Sequence, residues 1–118
     1  MMSEERGQLE VWRSTMMSGL RNPDAGVSTR SLLELVYDDP DRRSVESVIV
    51  ACLAPTSDPQ LRALAVTCIG HVARIHRAVS PDLVSRAEGL LGDPELGGRA
   101  EDALDDIASF TGGPQGPG

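Results

Sequence analysis

The sequence predicts an all-α protein, and three observations carry that expectation. Capping residues followed by proline recur along the chain, at Asn22-Pro23, Asp39-Pro40, Asp58-Pro59, Ser80-Pro81 and Asp93-Pro94. Asn, Asp and Ser accept hydrogen bonds from the free N–H groups of a helix's first turn, and proline at the first helical position loses no bond. Between these pairs the apolar residues step by three and four, the period of one helix face. The aliphatic residues supply the core almost alone, because the chain holds one Trp, one Tyr and one Phe.

The spacing of the pairs adds an arrangement. Successive prolines lie 17, 19, 22 and 13 residues apart, and alternate ones 36 (Pro23 to Pro59) and 35 (Pro59 to Pro94) apart. That interval is close to the two-helix period of solenoid repeats, so the expected fold is a short right-handed α-solenoid of antiparallel helix pairs, HEAT/armadillo-like, with about five to six helices. At 118 residues the chain fits one such domain, expected over residues 1–110.

Taken in order, Leu9, Trp12, Met16 and Leu20 mark a first helix. Leu32, Leu33, Leu35, Val36 and Tyr37 mark a second, whose start is blurred by Gly26 and the Ser28-Thr29-Arg30 segment. Val45, Val48, Ile49, Cys52 and Leu53 predict a third from about residue 42 to 54. The β-branched run Val48-Ile49-Val50 also permits a strand there, but the length of the segment and its Asp-Pro start favour helix. From Asp58 to Ala78, Leu61, Leu64, Ala65, Cys68, Ile69, Val72, Ala73 and His76 form a wide apolar stripe. Val66 and Ile75 fall off that stripe, which predicts a second covered face and makes this the central helix.

Leu83, Val84, Ala87, Leu90 and Leu91 mark a short helix ended by Gly92, and Leu96, Ala100, Ala103, Leu104, Ile107 and Ala108 the last one. Gly97-Gly98 weaken its first turns by about 1 kcal/mol each relative to Ala, so regular helix is expected from near Arg99. The tail, residues 111–118, carries four Gly and two Pro with no apolar residue and is expected to be disordered.

Composition limits the function. A net charge of −7 opposes binding to nucleic acid or an anionic membrane, because phosphate contacts need clustered cations. A cationic partner is the natural complement. No apolar run approaches the roughly 20 residues of a membrane span, and no basic segment feeds an apolar one at the start. Cys52 and Cys68 lack metal or redox spacing and read as buried thiols, which fits a cytoplasmic location. All eleven basic residues are arginine, in keeping with the codon usage of a GC-rich bacterial genome.

A search for chemistry finds no nucleophile elbow, active-site cysteine signature or phosphate loop, so an enzyme is not expected, nor any cofactor. His71 and His76 are about 140° apart on a helix and cannot share a metal as an i, i+4 pair would. His76 falls on the apolar stripe as a core or boundary histidine; His71 points elsewhere, as a surface residue or a contact. Cys68 and His71 are i, i+3 neighbours, a conceivable thiolate pair if Cys68 were not buried. Glu101, Asp102, Asp105 and Asp106 crowd one sector of the last helix. Like charges at i, i+4 and acids late in a helix are locally unfavourable. They are a solvated acidic face, a docking surface for a basic partner, or, without the Gly turn of a calcium loop, a metal site.

The segment from Arg62 to His76, RALAVTCIGHVARIH, followed by Gly98 to Ile107, GRAEDALDDI, resembles a family of short bacterial HEAT-like proteins. Those proteins look like the immunity proteins of polymorphic-toxin and contact-dependent inhibition systems. The resemblance covers residues 58–110, while residues 1–57 match only in helicity and Asp-Pro punctuation. It implies a cytoplasmic protein that binds and blocks a cognate toxin domain, nucleases with basic grooves being one kind. The family offers no binding motif to transfer, so Glu101, Asp102, Asp105, Asp106 and His71 are candidate partner contacts on charge and position alone. The competing expectation is a general HEAT-like scaffold unconnected to toxins, with every architectural feature in common.

Overall fold

The computed structural model describes residues 2–112, with the side chains of residues 4–112. Six helices follow one another: α1 (Met2–Leu20), α2 (Ala25–Asp38), α3 (Arg42–Cys52), α4 (Pro59–His76), α5 (Pro81–Gly89) and α6 (Gly97–Phe110). No strand occurs among the described residues, and Val48-Ile49-Val50 lies inside α3. Residues 113–118 of the expected disordered tail lie outside the described residues.

The cap-and-proline pairs divide into two kinds. Asp58 behaves as expected, its carboxylate accepting the N–H of Gln60 at 2.8 Å and of Leu61 at 3.3 Å, with Pro59 opening α4. Ser80 and Pro81 open α5, but the Ser80 hydroxyl does not cap it as the sequence predicts, because it donates to Glu46 instead. Asn22 and Asp39 are not N-caps, because each is followed two residues later by an aspartate that takes the role. The Asn22 side chain accepts the N–H of Asp24 at 2.8 Å, and Asp24 in turn caps α2 through Gly26. Asp39 closes α2, accepts the N–H of Asp41 at 3.0 Å, and leaves Asp41 to cap α3. Each Asx-Pro-Asp run is thus an Asx turn that feeds a second Asx cap.

Asp93 caps a single turn ahead of α6, accepting from Glu95 N–H at 2.8 Å and Leu96 N–H at 2.9 Å. Because that turn is already formed, α6 begins at Gly97 rather than Arg99. A Cβ on Gly97 would lie 2.5 Å from the Leu91 carbonyl oxygen, so the residue is a steric requirement.

Helix α4 is the centre of the molecule. It touches α2, α3, α5 and α6, while α1 packs on α2 and α5 on α6. Leu61, Ala65, Val66, Cys68, Ile69, Val72 and Ala73 are buried. Val66 is covered as expected but Ile75 is 40% exposed. Nine residues turn a helix through about 900°, so these two side chains point to opposite sides and only one side has a neighbour. Leu64 is half-buried at the edge of the core. The helix stops at His76 because Arg77 turns left-handed, with φ 57° and ψ 24°.

The contacts between α4 and α6 keep a constant offset. Thr67 meets Arg99, Gly70 meets Ala103, Arg74 meets Asp106 and Arg77 meets Phe110, which are 32, 33, 32 and 33 residues apart. A constant difference in number means that the two helices run parallel, since antiparallel neighbours would keep a constant sum. Tyr37 with His71 and Glu46 with Ser80 repeat the interval at 34 residues. The helices approach closely because the contact is built from Gly70, Ala100 and Ala103.

Two buried carboxylates tie the ends of the fold to this centre. Asp39, 3% exposed, accepts from Arg13 Nε at 2.8 Å and Nη2 at 2.7 Å, fastening α1 to the α2–α3 turn. Burial opposes ionisation of Asp39, but the Arg13 and Asp41 hydrogen bonds and the nearby positive charges of Arg13 and His76 hold its carboxyl below the ordinary value. Glu46 accepts from Arg42 Nη1 at 2.8 Å, Ser80 N–H at 3.0 Å and Ser80 Oγ at 2.6 Å. A glutamate reaching the N-cap N–H is half of a capping box, supplied here from α3 instead of from within α5.

If α4 is the core, Ile69→Ala, at a fully buried site, lowers unfolding free energy by about 2–5 kcal/mol. Ile75→Ala, two turns on, changes it by less than about 1 kcal/mol. Urea denaturation of both variants checks this, and equal losses would contradict it.

Candidate functional site

Of the five predicted contact residues, Glu101, Asp102 and Asp105 are exposed on α6, whereas Asp106 is half-buried. At 100° per residue, Glu101 and Asp106 lie about 140° apart, so the carboxylates spread over the outward half of the helix. Asp102 and Asp106 occupy the flank beside α4. Asp106 pairs with Arg74 Nη2 at 3.5 Å and rests against Gly70, where a Cβ would come within 2.5 Å of its Oδ2.

His71 sits on α4 between Tyr37 of α2 and the Arg74–Asp106 pair. Its ring centroid is 5.2 Å from that of Tyr37, tilted by 42°. The Tyr37 hydroxyl is 3.4 Å from Nδ1 and 3.5 Å from Nε2. Those distances are long for a hydrogen bond, and their near equality makes this a ring contact first. Burial, then the positive charge of Arg74, hold the His71 imidazole below its ordinary pKa, against the opposing pull of Asp106. The structure therefore joins His71 to Asp106 around Arg74, and leaves Glu101, Asp102 and Asp105 in solvent.

Four further residues complete this face without having been singled out in the sequence. Tyr37 is 54% exposed. The Arg74 and Arg77 guanidinium carbons lie 5.5 Å and 5.2 Å from the centroid of the Phe110 ring, both within cation–π range. Arg77 holds the left-handed conformation that ends α4, a position glycine fills at no cost, and its stacking on Phe110 offsets the strain of about 1 kcal/mol. The interval of 33–34 residues links Tyr37 to His71 and Arg77 to Phe110, and that repeat is the signal that could have found them. Tyr, Arg and Phe are the residue types enriched where proteins bind one another.

The alternatives for chemistry find less. No group of three His, Cys, Asp or Glu able to hold a metal occurs among the described residues. Burial pushes the Cys52 thiol up to about 11, and burial with the neighbouring Cys52 pushes Cys68 up to about 12. Both stay protonated near neutrality, so no thiolate pairs with His71. His76 is half-buried, the boundary position the stripe predicts, with its Nε2 enclosed and without a hydrogen-bond partner among the described residues.

No protein family, curated protein or solved structure matches the chain. What the geometry defines by itself is an all-helical protein with one mixed aromatic, cationic and acidic face along α2, α4 and α6.

Because the folded state holds His71 below the ordinary 6.5, the unfolded chain binds its proton more readily, and stability contributed at higher pH is lost as pH falls below about 6.5. Asp39 shifts in the same direction, so its contribution is present above 3.8 and lost as pH falls through its lowered value. Urea midpoints should therefore drop between neutral pH and about pH 5.5, and the drop should shrink in His71→Asn. An unchanged drop in the variant would assign it to another group.

Proposed function

We propose that this chain is a non-enzymatic protein-binding module: a short right-handed solenoid of HEAT/armadillo type whose pairs are α1–α2, α3–α4 and α5–α6. The recurring offset of 32–34 residues between equivalent contacts supports that reading, since it is the period of stacked helix pairs. The observation that carries the function is the face formed by Tyr37, His71, Arg74, Asp106 and Phe110, with Glu101, Asp102 and Asp105 exposed alongside it. Aromatic anchors beside a charged rim form a surface for a folded partner.

The partner is a basic domain. Exposed carboxylates on a chain of net charge −7 speed its approach and disfavour acidic competitors. The resemblance of residues 62–76 and 98–107 to immunity proteins makes that domain a cognate toxin, a nuclease with a basic groove being the best fit by charge. Binding would occlude its active site or hold it from its substrate. A cytoplasmic location belongs to this role, and no helix among the described residues is long and apolar enough to cross a membrane. The rival reading, a general scaffold, gains from the exposed apolar surface of α1, where Val11 is 68% exposed.

The test is affinity capture from lysate of the native host, with the chain and its Glu101→Gln, Asp102→Asn, Asp105→Asn variant as baits. The expected outcome is one basic protein captured stoichiometrically by the parent chain and at least about tenfold less by the variant at moderate salt. Equal capture by both baits would remove the acidic face from the mechanism. Capture of a non-toxin assembly would favour the scaffold.

A further inference from the structure

Helix α1 turns one face to α2 and, among the described residues, leaves the other without a packed neighbour. Its inner stripe is Leu9, Met16, Met17 and Leu20, with Trp12 at the boundary of the two faces, yet none of these side chains is fully buried. The outer face carries Gly7, Gln8, Val11 and Thr15, all exposed. The Thr15 hydroxyl donates back to the Val11 carbonyl at 3.0 Å, so its polar group is already satisfied within the helix. Glu4, Gly7, Gln8, Val11 and Trp12 border a shallow depression of about 500 Å³.

Two facts choose the occupant. The first is charge. With Arg13 paired to Asp39, Glu4, Glu5 and Glu10 are offset by Arg6 and Arg21, so the α1 surface is close to neutral and most of the net −7 falls on the rest of the chain. A second copy of this helix is therefore not repelled, as a second copy of the α6 face with Glu101, Asp102 and Asp105 would be. The charges are also ordered, with Glu4 and Glu5 at the start of the helix and Arg21 just past its end, about 25 Å away along the axis. Two such helices side by side and antiparallel, related by a two-fold axis near Trp12, place Glu4 and Glu5 of each beside Arg21 of the other. The second fact is the opposite end of the stack. Helix α6 exposes Glu101, Asp102 and Asp105 there, and an apolar α1 face laid on those carboxylates would desolvate them with no partner. That disfavours head-to-tail growth and leaves the closed, two-fold pairing.

We propose that the chain self-associates through an antiparallel α1–α1 contact centred on Trp12 and Val11, forming a two-fold dimer that leaves the α2–α4–α6 face free. One helix face is smaller than a standard interface, so the dimer is weak, with dissociation in the micromolar to millimolar range. It does not depend on the toxin reading, because it uses a different surface.

Trp12 is the chain's only tryptophan, so its fluorescence reports this contact directly. Sedimentation velocity and Trp12 emission are to be followed together from micromolar to near-millimolar protein. The expected result is a monomer–dimer transition with a concentration-dependent blue shift. In Val11→Arg it weakens by more than about tenfold with helicity unchanged, because the side chain is exposed. Arg21→Glu should also weaken it, and the double change Glu5→Arg with Arg21→Glu should restore it. A monomer with constant emission throughout the range overturns the proposal, whether or not another partner binds α1. So does a dimer indifferent to Val11→Arg.

Discussion

Helix α4 has neighbours on several sides, and its most extensive contact is with α6. Gly70 on one helix and Ala100 and Ala103 on the other leave no side-chain bulk between the two backbones. Everything at the surface above that contact inherits its register. Arg74 reaches Asp106, and Arg77 reaches Phe110, because the two helices run parallel at a fixed offset. A larger residue at position 70 would displace Asp106 first, since its carboxylate occupies the space a Cβ would take. Packing and the candidate site are thus coupled through one glycine.

The rest of the fold hangs from that centre by polar contacts that span long stretches of chain. Arg13 and Asp39 join α1 to the α2–α3 turn, and Glu46 joins α3 to the start of α5. Both carboxylates are nearly buried and both are satisfied by several donors, which is the condition under which a buried charge is tolerated. Such ties specify which helix follows which more than they add stability, because an apolar pair could fill the same space. They also explain the asymmetry of the molecule. Helix α4 packs against four other helices, while α1, among the described residues, packs chiefly on α2 and makes one ion pair.

Much of the backbone plan was legible because it rests on local chemistry. Asp58-Pro59 reads correctly since nothing nearby competes for its role, while Ser80-Pro81 marks the start of α5 but its hydroxyl is drawn off to Glu46. Asn22 and Asp39 were misassigned because an aspartate two residues on is the better cap, and choosing between two adjacent Asx residues depends on where the helix axis enters the fold. The burial of Cys68 followed from its place on the apolar stripe. The exposure of Ile75 did not, because periodicity gives the direction of a side chain and not whether anything lies there. The acidic residues of α6 were visible by composition. Their division, three in solvent and Asp106 bound to Arg74, depends on a helix that lies 32 residues away. Tyr37, read only as an apolar marker of the second helix, and Phe110 were not assigned to this face for the same reason, each being defined by a partner about one repeat distant.

The central claim is that stability radiates from α4 and is lowest at α1. Native-state hydrogen exchange under increasing denaturant measures this residue by residue. The amides of Ala65 to Ala73 should exchange only through global unfolding, while those of α1 exchange through a cheaper opening that leaves α2 to α6 folded. Equal protection of α1 and α4, or earlier opening of α4, would contradict it.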